Sequence, residues 1–298
     1  MRFEQWLDRY SRALERRILR LAPPPKPDHP LFSERIKARR KRWWNDGVDH
    51  PSKKLCPKIG GQDYVRSLGH AVPEVYAILP RITTLPHLDQ LPERFVLKPL
   101  ADNSVNNVFL MDRSTCLLQH RRLTREDIIA QVGPDYTQGF MIEEMLMHHD
   151  GRHHIANDIK FYMFGDKPAF VVMIERNSVK NKKLNRYWYM TQDWQRLPIR
   201  VSANQCQEQV MPPMPDCYPN MLGIARDIGR RLNTFVRLDM YATDRGPVFG
   251  EFTHFPNGGR NYTLKSDIWL GSLWKGEEGC DDPPSGREEP ILTIAKAG

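Results

Sequence analysis

The stretch "RLDMYATDRGPVFGEF", residues 237–252, alternates apolar and polar positions on both sides of Asp244-Arg245-Gly246 and reads as a β-hairpin. With the turn centred on Arg245, Asp239 faces Glu251, Arg237 faces Thr253 and Tyr241 faces Phe249. All six side chains then share one face, because side chains alternate along a strand. Opposed carboxylates destabilise a strand pair by roughly 0.2–1 kcal/mol when exposed and by more when dry. Positive charge should therefore lie between them. On the hairpin alone two arrangements serve equally: a divalent cation bridging both carboxylates, or Arg237 neutralising them as an internal ion pair.

Upstream of the hairpin, "PNMLGIARDIGRRLN" has helical spacing, and "IKFYMFGDKPAFVVMIER" reads as two strands joined at Gly165-Asp166. From Arg94 onward the texture is one of short strands, "RFVLKPL", "NNVFLM" and "GFMIEEML", interrupted by a helix at "TREDIIAQVG". Earlier still, "KKLCPKIGGQDYVRSLGHAVPEVYAIL" reads as a helical patch running into a strand. Together these elements describe an α+β protein with antiparallel sheets and flanking helices. The tail from Lys275, polar and rich in Pro and Gly, reads as poorly ordered.

The chain has 298 residues, enough for a substantial core, with 27% charged and 40% hydrophobic residues as in globular proteins. No run approaches the roughly 18 apolar residues of a membrane span, and the arginine-rich start lacks the apolar core of a secretory signal. Five cysteines (56, 116, 206, 217 and 280) form no CxxC pair, a pattern suited to reduced thiols in a cytoplasmic setting. The formal charge of +8 is concentrated in residues 1–60, which hold 16 Lys or Arg against 7 Asp or Glu. There Phe3, Leu7, Tyr10, Leu14, Ile18 and Leu21 recur at helical spacing among arginines, until "APPPKP" ends the helix. Such an arm could pack on its own domain, or meet anionic lipid at the inner membrane face or a protein partner. No zinc-finger or RNP-like signature points to nucleic acid.

Several residues are candidates for chemistry. Lys98 within "FVLKPL" and Lys160 within "NDIKFYMF" are strand lysines, suited either to snorkelling at an edge or to fixing a phosphate. Glu143 and Glu144 lie at a strand end, where carboxylates could meet a base or ribose or simply be solvated. Arg176 closes a strand. With Arg237 and the opposed acids, these cations suit a magnesium nucleotide: cations for phosphate oxygens, carboxylates for metal. The histidines of "HHDGRHH" (148, 149, 153 and 154) have no closed tetrahedral spacing, and no GxSxG marks a serine nucleophile.

In this order, "FVLKPL", "MIEEML", "DIKFYMFGDKPAFVVMIER" and "VRLDMYATDRGPVFGEFTHFPNGG" resemble the ATP-grasp superfamily, most closely its TupA-like branch linked to teichuronopeptide and surface-polysaccharide synthesis. "KKLCPKIGGQDYVRSLG" and "PEVYAIL" are similar to that branch's N-terminal segment. The resemblance implies an ATP-grasp fold with ATP held between two antiparallel-sheet lobes. It divides the chain into a basic helical arm (1–48), an N-terminal lobe (49–92), a small lobe with phosphate loop and hinge (93–155), a C-terminal lobe with the Mg2+ and ATP site (156–275) and a polar tail (276–298). It implies Lys98, Ser104 and Lys160 as phosphate contacts, Glu143 and Glu144 as the hinge, and Asp239, Glu251 and Thr253 as magnesium ligands. Arg237 and Arg176 would lie beside the reacting phosphoryl group. Two departures stand out: Thr253 occupies a position often held by Asn, and no glycine follows Lys98 in "ADNSVNNV". The implied activity is ATP-dependent ligation of a carboxylate to an amine, on substrates of cell-envelope glycan synthesis.

Overall fold

The structure, a computed structural model, describes residues 27–100, 107–151, 155–177 and 184–281. The arm helix expected before "APPPKP" and most of the polar tail lie outside these residues. The described helices are α1 (Phe32–Arg40), α2 (Lys58–Ser67), α3 (Arg125–Val132), α4 (Tyr218–Leu232) and α5 (Leu264–Leu273). None is long and apolar enough to cross a membrane. The start of α3 is written locally: Thr124 Oγ1 accepts from Asp127 N, and the Asp127 carboxylate accepts from Thr124 N, a reciprocal cap.

Strands β1 (Val75–Leu79), β2 (Arg94–Pro99), β3 (Phe109–Asp112), β4 (Thr115–Cys116), β5 (Arg121–Arg122) and β6 (Phe140–Glu144) form one antiparallel sheet in the order β1-β6-β2-β3-β4-β5. Alternation gives this sheet one apolar face. Phe95, Leu97, Phe109, Met111, Phe140 and Ile142 are buried there against Ile82, Leu85 and Ile128 of α3. Lys98 and Glu143 occupy the opposite face. Because β2 lies between β6 and β3, Lys98 belongs to an interior strand and is no edge residue.

A second antiparallel sheet, ordered β11-β10-β7-β8-β9, contains β7 (Asp158–Phe164), β8 (Lys167–Glu175), β9 (Arg186–Met190), β10 (Phe235–Thr243) and β11 (Gly246–Thr253). One face buries Ile159, Phe161, Val236, Leu238 and Met240 against Met221, Ala225 and Ile228 of α4 and Val65 of α2. The other face is apolar at one end, where Phe164, Phe170 and Phe235 meet Phe32 and Ile36 of α1 and Leu270 of α5. Towards the centre it becomes charged.

In the hairpin Asp239 does face Glu251 and Arg237 does face Thr253. The expected Tyr241–Phe249 pair is not formed. The turn occupies Asp244 and Arg245, and a bulge beside Asp239 makes Gly250 an extra residue on β11, so Tyr241 pairs with Val248 and Phe249 with Met240. The bulge has a physical reason: it turns Phe249 into the α4-side core while leaving Glu251 on the charged face. Only glycine fits there, since a Cβ at position 250 would lie 2.6 Å from Tyr241 Cε2 and 3.2 Å from Asp239 O. Gly250→Ala is expected to lower stability by about 1–3 kcal/mol through overpacking. Urea denaturation should show an earlier midpoint, and an unchanged midpoint would remove this account of the bulge.

The segment Lys275–Asp281, expected to be poorly ordered, is packed instead. Glu278 O accepts from Phe235 N at 2.6 Å and from Thr234 Oγ1 at 2.8 Å, so this stretch satisfies backbone groups where β10 begins. Polarity of the sequence concealed a role filled by main-chain atoms.

Candidate functional site

Strand pairing brings the charged residues of the second sheet together. Lys160 on β7 lies opposite Asp239 on β10, and Asp158 lies opposite Tyr241, so Asp158 and Lys160 share the face of Arg237, Asp239 and Glu251. Asp239 is 2% exposed and held from two sides. Arg237 donates through Nε to Oδ1 at 2.6 Å and through a terminal nitrogen to Oδ2 at 2.7 Å, while Lys160 Nζ reaches the same Oδ2. A terminal nitrogen of Arg237 also donates to Thr253 Oγ1 at 2.9 Å. Asp158, also buried, binds Arg176 Nε and lies 3.7 Å from Lys160 Nζ. Asp158 escaped the reading of the sequence, although its position two residues before Lys160 in a strand places both on one face.

Burial opposes ionisation of Asp239, but the charges of Arg237 and then Lys160 outweigh it and hold its pKa below the ordinary aspartate value. Asp158 follows the same pattern, with Arg176 and Lys160 overcoming the burial penalty. Burial likewise opposes the charge on Arg237, which Asp239 more than restores, raising its pKa. Asp158, Asp239 and Arg237 are therefore each held towards the charged form by their partners. Arg237 pairs with Asp239, joined there by Lys160, and not with Glu251, so it neutralises one of the two opposed carboxylates. Glu251 is the exception within the set: half-buried, it makes no ion pair or side-chain hydrogen bond to a described residue.

This donor set can be tested against magnesium. Asp239 and Glu251 offer opposed carboxylates, with the Thr253 hydroxyl on the same face. Among the described residues no group of three His, Cys, Asp or Glu forms a metal cage of its own. Magnesium usually takes one or two carboxylates together with substrate phosphates and retained waters. The residues fit a cation that arrives with phosphates, and three basic groups stand beside them to receive those phosphates.

The first sheet carries a second polar group. Lys98 Nζ pairs with Glu143 Oε1, and Gln62 Nε2 of α2 donates to Glu143 Oε2 at 3.2 Å. Glu144 points to the other side of β6. There Arg245, from the tip of the hairpin, grips both its oxygens at 3.0 and 2.7 Å. The two glutamates thus have different environments: Glu143 is buried beside Lys98, whereas Glu144 ties the hairpin tip to the first sheet. Lys98 and Glu143 share no hydrogen bond or ion pair with Lys160, Asp239 or Arg237. Ser104 lies in 101–106, outside the described residues, as do His153 and His154. His148 is buried and its Nδ1 lies 2.5 Å from Asp150 Oδ1.

Surface depressions lie elsewhere. One of about 520 Å3 is lined by Asp166, Lys167, Gln192 and Arg226, among others, and one of about 650 Å3 by Arg66, Glu74, Tyr76, Glu144 and Arg245. Of the residues put forward from the sequence as candidates for chemistry, only Glu144 lines either. The chemistry is concentrated in buried charge.

Comparison with known proteins gives a family match. The family model described as TupA-like ATP-grasp matches residues 74–275. No curated protein matches the chain. Among solved structures, D-alanine–D-alanine ligase from Bacillus anthracis, complexed with ATP, is 15% identical with a TM-score of 0.38, covering 67% of this chain and 53% of that one. D-alanyl-alanine synthetase A from Vibrio cholerae is 10% identical with a TM-score of 0.45, covering 82% and 70%. The ATP-grasp ligase PsnB, complexed with minimal precursor, Mg and ADP, is 14% identical with a TM-score of 0.38, covering 73% and 57%. The chain thus spans little more than half the length of the Bacillus ligase. Assignment to a family rests on the match over 74–275, and these distant likenesses add nothing about substrates.

Proposed function

The chain belongs to the TupA-like ATP-grasp family, and from this premise we propose that it is an ATP-dependent carboxylate–amine ligase working through an acylphosphate. The observation that carries the reading is the set of Lys160, Arg176, Arg237, Asp158, Asp239 and Glu251, buried or half-buried on one face of the second sheet, in which two carboxylates face each other across the β10–β11 pair. In this reading 93–155 form the small lobe and 156–275 the nucleotide lobe. Lys98 and Lys160, with Ser104 in the intervening loop, contact phosphates, and the Glu143-Glu144 segment meets adenine and ribose.

Asp239 and Glu251, with Thr253 beside them, would hold magnesium, which when bound neutralises charge developing between the β- and γ-phosphates. The chain's own residues do the rest by exchanging partners. Arg237 and Lys160 release Asp239 and turn to phosphate oxygens, so the charge each loses in one ion pair it recovers in another. A substrate carboxylate oxygen attacks the γ-phosphorus, the bond to the bridging oxygen breaks, and ADP leaves. An amine then attacks the acyl carbon, loses a proton, and expels inorganic phosphate. Arg237, with Arg176 behind it, stabilises the oxyanion formed in that second step. No protein nucleophile is needed.

The proposed substrates are an amino acid or similar amine and a carboxylated sugar or peptide of a cell-surface glycan, following the family branch. The proposed setting is the cytoplasmic side of the membrane, where the basic arm meets anionic lipid or a partner protein. Purified protein given ATP and Mg2+ is expected to release ADP and phosphate in equal amounts only when both a carboxylate and an amine are supplied. Phosphorylated product formed without an amide, or ADP release indifferent to the amine, would overturn the ligase reading.

A further inference from the structure

Helix α2 belongs by packing to the second sheet. Leu55, just before it, and Val65 within it lie in the α4-side core, Tyr64 meets Phe252 with ring centroids 6.2 Å apart, and a Cβ on Gly61 would come within 3.0 Å of the Phe252 ring. From this anchored helix two side chains reach the first sheet at the Lys98–Glu143 pair. Lys58 Nζ donates to Pro99 O at 3.1 Å, one residue beyond Lys98, and Gln62 Nε2 donates to Glu143 Oε2.

Gln62 is 1% exposed, and its other amide atom, Oε1, is buried with no hydrogen-bond partner among the described residues. The orientation of the amide is set by its neighbour: turning it over would put Oε1 against the Glu143 carboxylate, acceptor against acceptor. A buried carbonyl left without a donor is costly, and native chains rarely keep one without use. This one sits in the polar group that already holds Lys98. Lys98 pairs with Glu143 and Lys58 donates to Pro99 O, and no described residue gives Gln62 Oε1 a donor.

We propose that Gln62 is a nucleotide-recognition residue: its free Oε1 accepts a hydrogen bond from a donor on the bound nucleoside, while its Nε2 holds Glu143 in place. This rests on the ATP-dependent reading above and adds to it a contact supplied by a helix outside the two sheets. The chemistry is that of an N–H or O–H donor, which an exocyclic amine of the base or a hydroxyl of the ribose could provide. Either makes the protein selective among nucleoside triphosphates that carry identical phosphates.

The test compares binding of Mg·ATP, purine riboside triphosphate (no exocyclic amine) and 2′- and 3′-deoxy-ATP by the full chain and by Gln62→Met, using calorimetry together with thermal unfolding in the absence of nucleotide. The variant removes an unsatisfied buried acceptor together with the bond from Nε2 to Glu143, two opposing effects, so it is expected to unfold close to the parent, yet to bind Mg·ATP roughly 5- to 10-fold more weakly, the scale of one lost hydrogen bond. The parent should lose affinity for the analogue lacking the partner group, and the variant should show no further loss with that analogue. Equal affinity of parent and variant for Mg·ATP overturns the inference while leaving the ligase reading intact. Absence of Mg·ATP binding by the parent overturns both. Should Gln62→Met fail to fold, the parent's analogues decide: equal affinity for all four nucleotides overturns the inference.

Discussion

Glu251→Gln is expected to abolish ATP turnover while leaving the fold almost as stable as before, and Asp239→Asn to abolish turnover and also to destabilise the protein by several kcal/mol. The two carboxylates face each other and would share one metal, yet their surroundings differ. Glu251 makes no ion pair to a described residue, so removing its charge strands no partner among them. Asp239 is the common partner of Arg237 and Lys160 deep in the sheet, and breaking a buried pair by removing one side typically costs about 3–5 kcal/mol. For both variants the loss in kcat should be of the order of 10²-fold or more, as for other groups stabilising developing charge. Steady-state ADP release and thermal unfolding, measured on the same preparations, check the pair. Normal turnover in either variant would refute the metal assignment. Equal stability of the two would refute the distinction drawn between them.

Arg39→Met is expected to give the largest loss of stability in the chain, about 4 kcal/mol or more, because it removes one buried, charged donor shared by four acceptors at once. Arg39 is fully buried. Its terminal nitrogens donate to Phe235 O at 2.8 Å, His254 O at 3.4 Å, Thr234 Oγ1 at 3.2 Å and Glu278 O at 2.5 Å. The guanidinium lies 4.5 Å from the centre of the Trp274 ring, and its Nε is 2.9 Å from the Glu278 carboxylate. Burial, the leading cause, lowers its pKa to about 10, which still leaves it charged at neutral pH. The acceptors lie together at the open end of the strand pair that carries Arg237 and Asp239, since Phe235 starts β10 and His254 follows β11 on the antiparallel partner. Soluble yield and the midpoint of urea denaturation are the measurements. A variant as stable as the parent would show that these bonds contribute nothing net.

What the sequence could disclose follows from the range of the interactions involved. Alternation and helical spacing are local, so strands such as "RFVLKPL", the turn at Gly165-Asp166 and the helix over 218–232 were legible, as was the facing of Asp239 and Glu251. The bulge was not, because it depends on whether the tertiary core claims Phe249. Gln62 was illegible too: nothing within "GGQDYV" indicates that β6, eighty residues away, will bring Glu143 against it. The packing of Lys275–Asp281 escaped for a further reason. Its contribution is largely a carbonyl oxygen, which every residue possesses. Asp158, by contrast, was within reach of the alternation rule and simply lacked a distinguishing neighbour.

On the proposed reading, the pairing of Asp239 with Arg237 and Lys160 would also make the site a coincidence detector. A lone divalent cation would draw Asp239 away and leave Arg237 and Lys160 as buried, uncompensated positive charge. A lone triphosphate would take those cations and leave Asp239 and Glu251 opposed, with nothing between them. Only metal and phosphates arriving together replace every severed pair with a new one. Such a site would resist free magnesium and free polyphosphate alike, and respond to their conjunction.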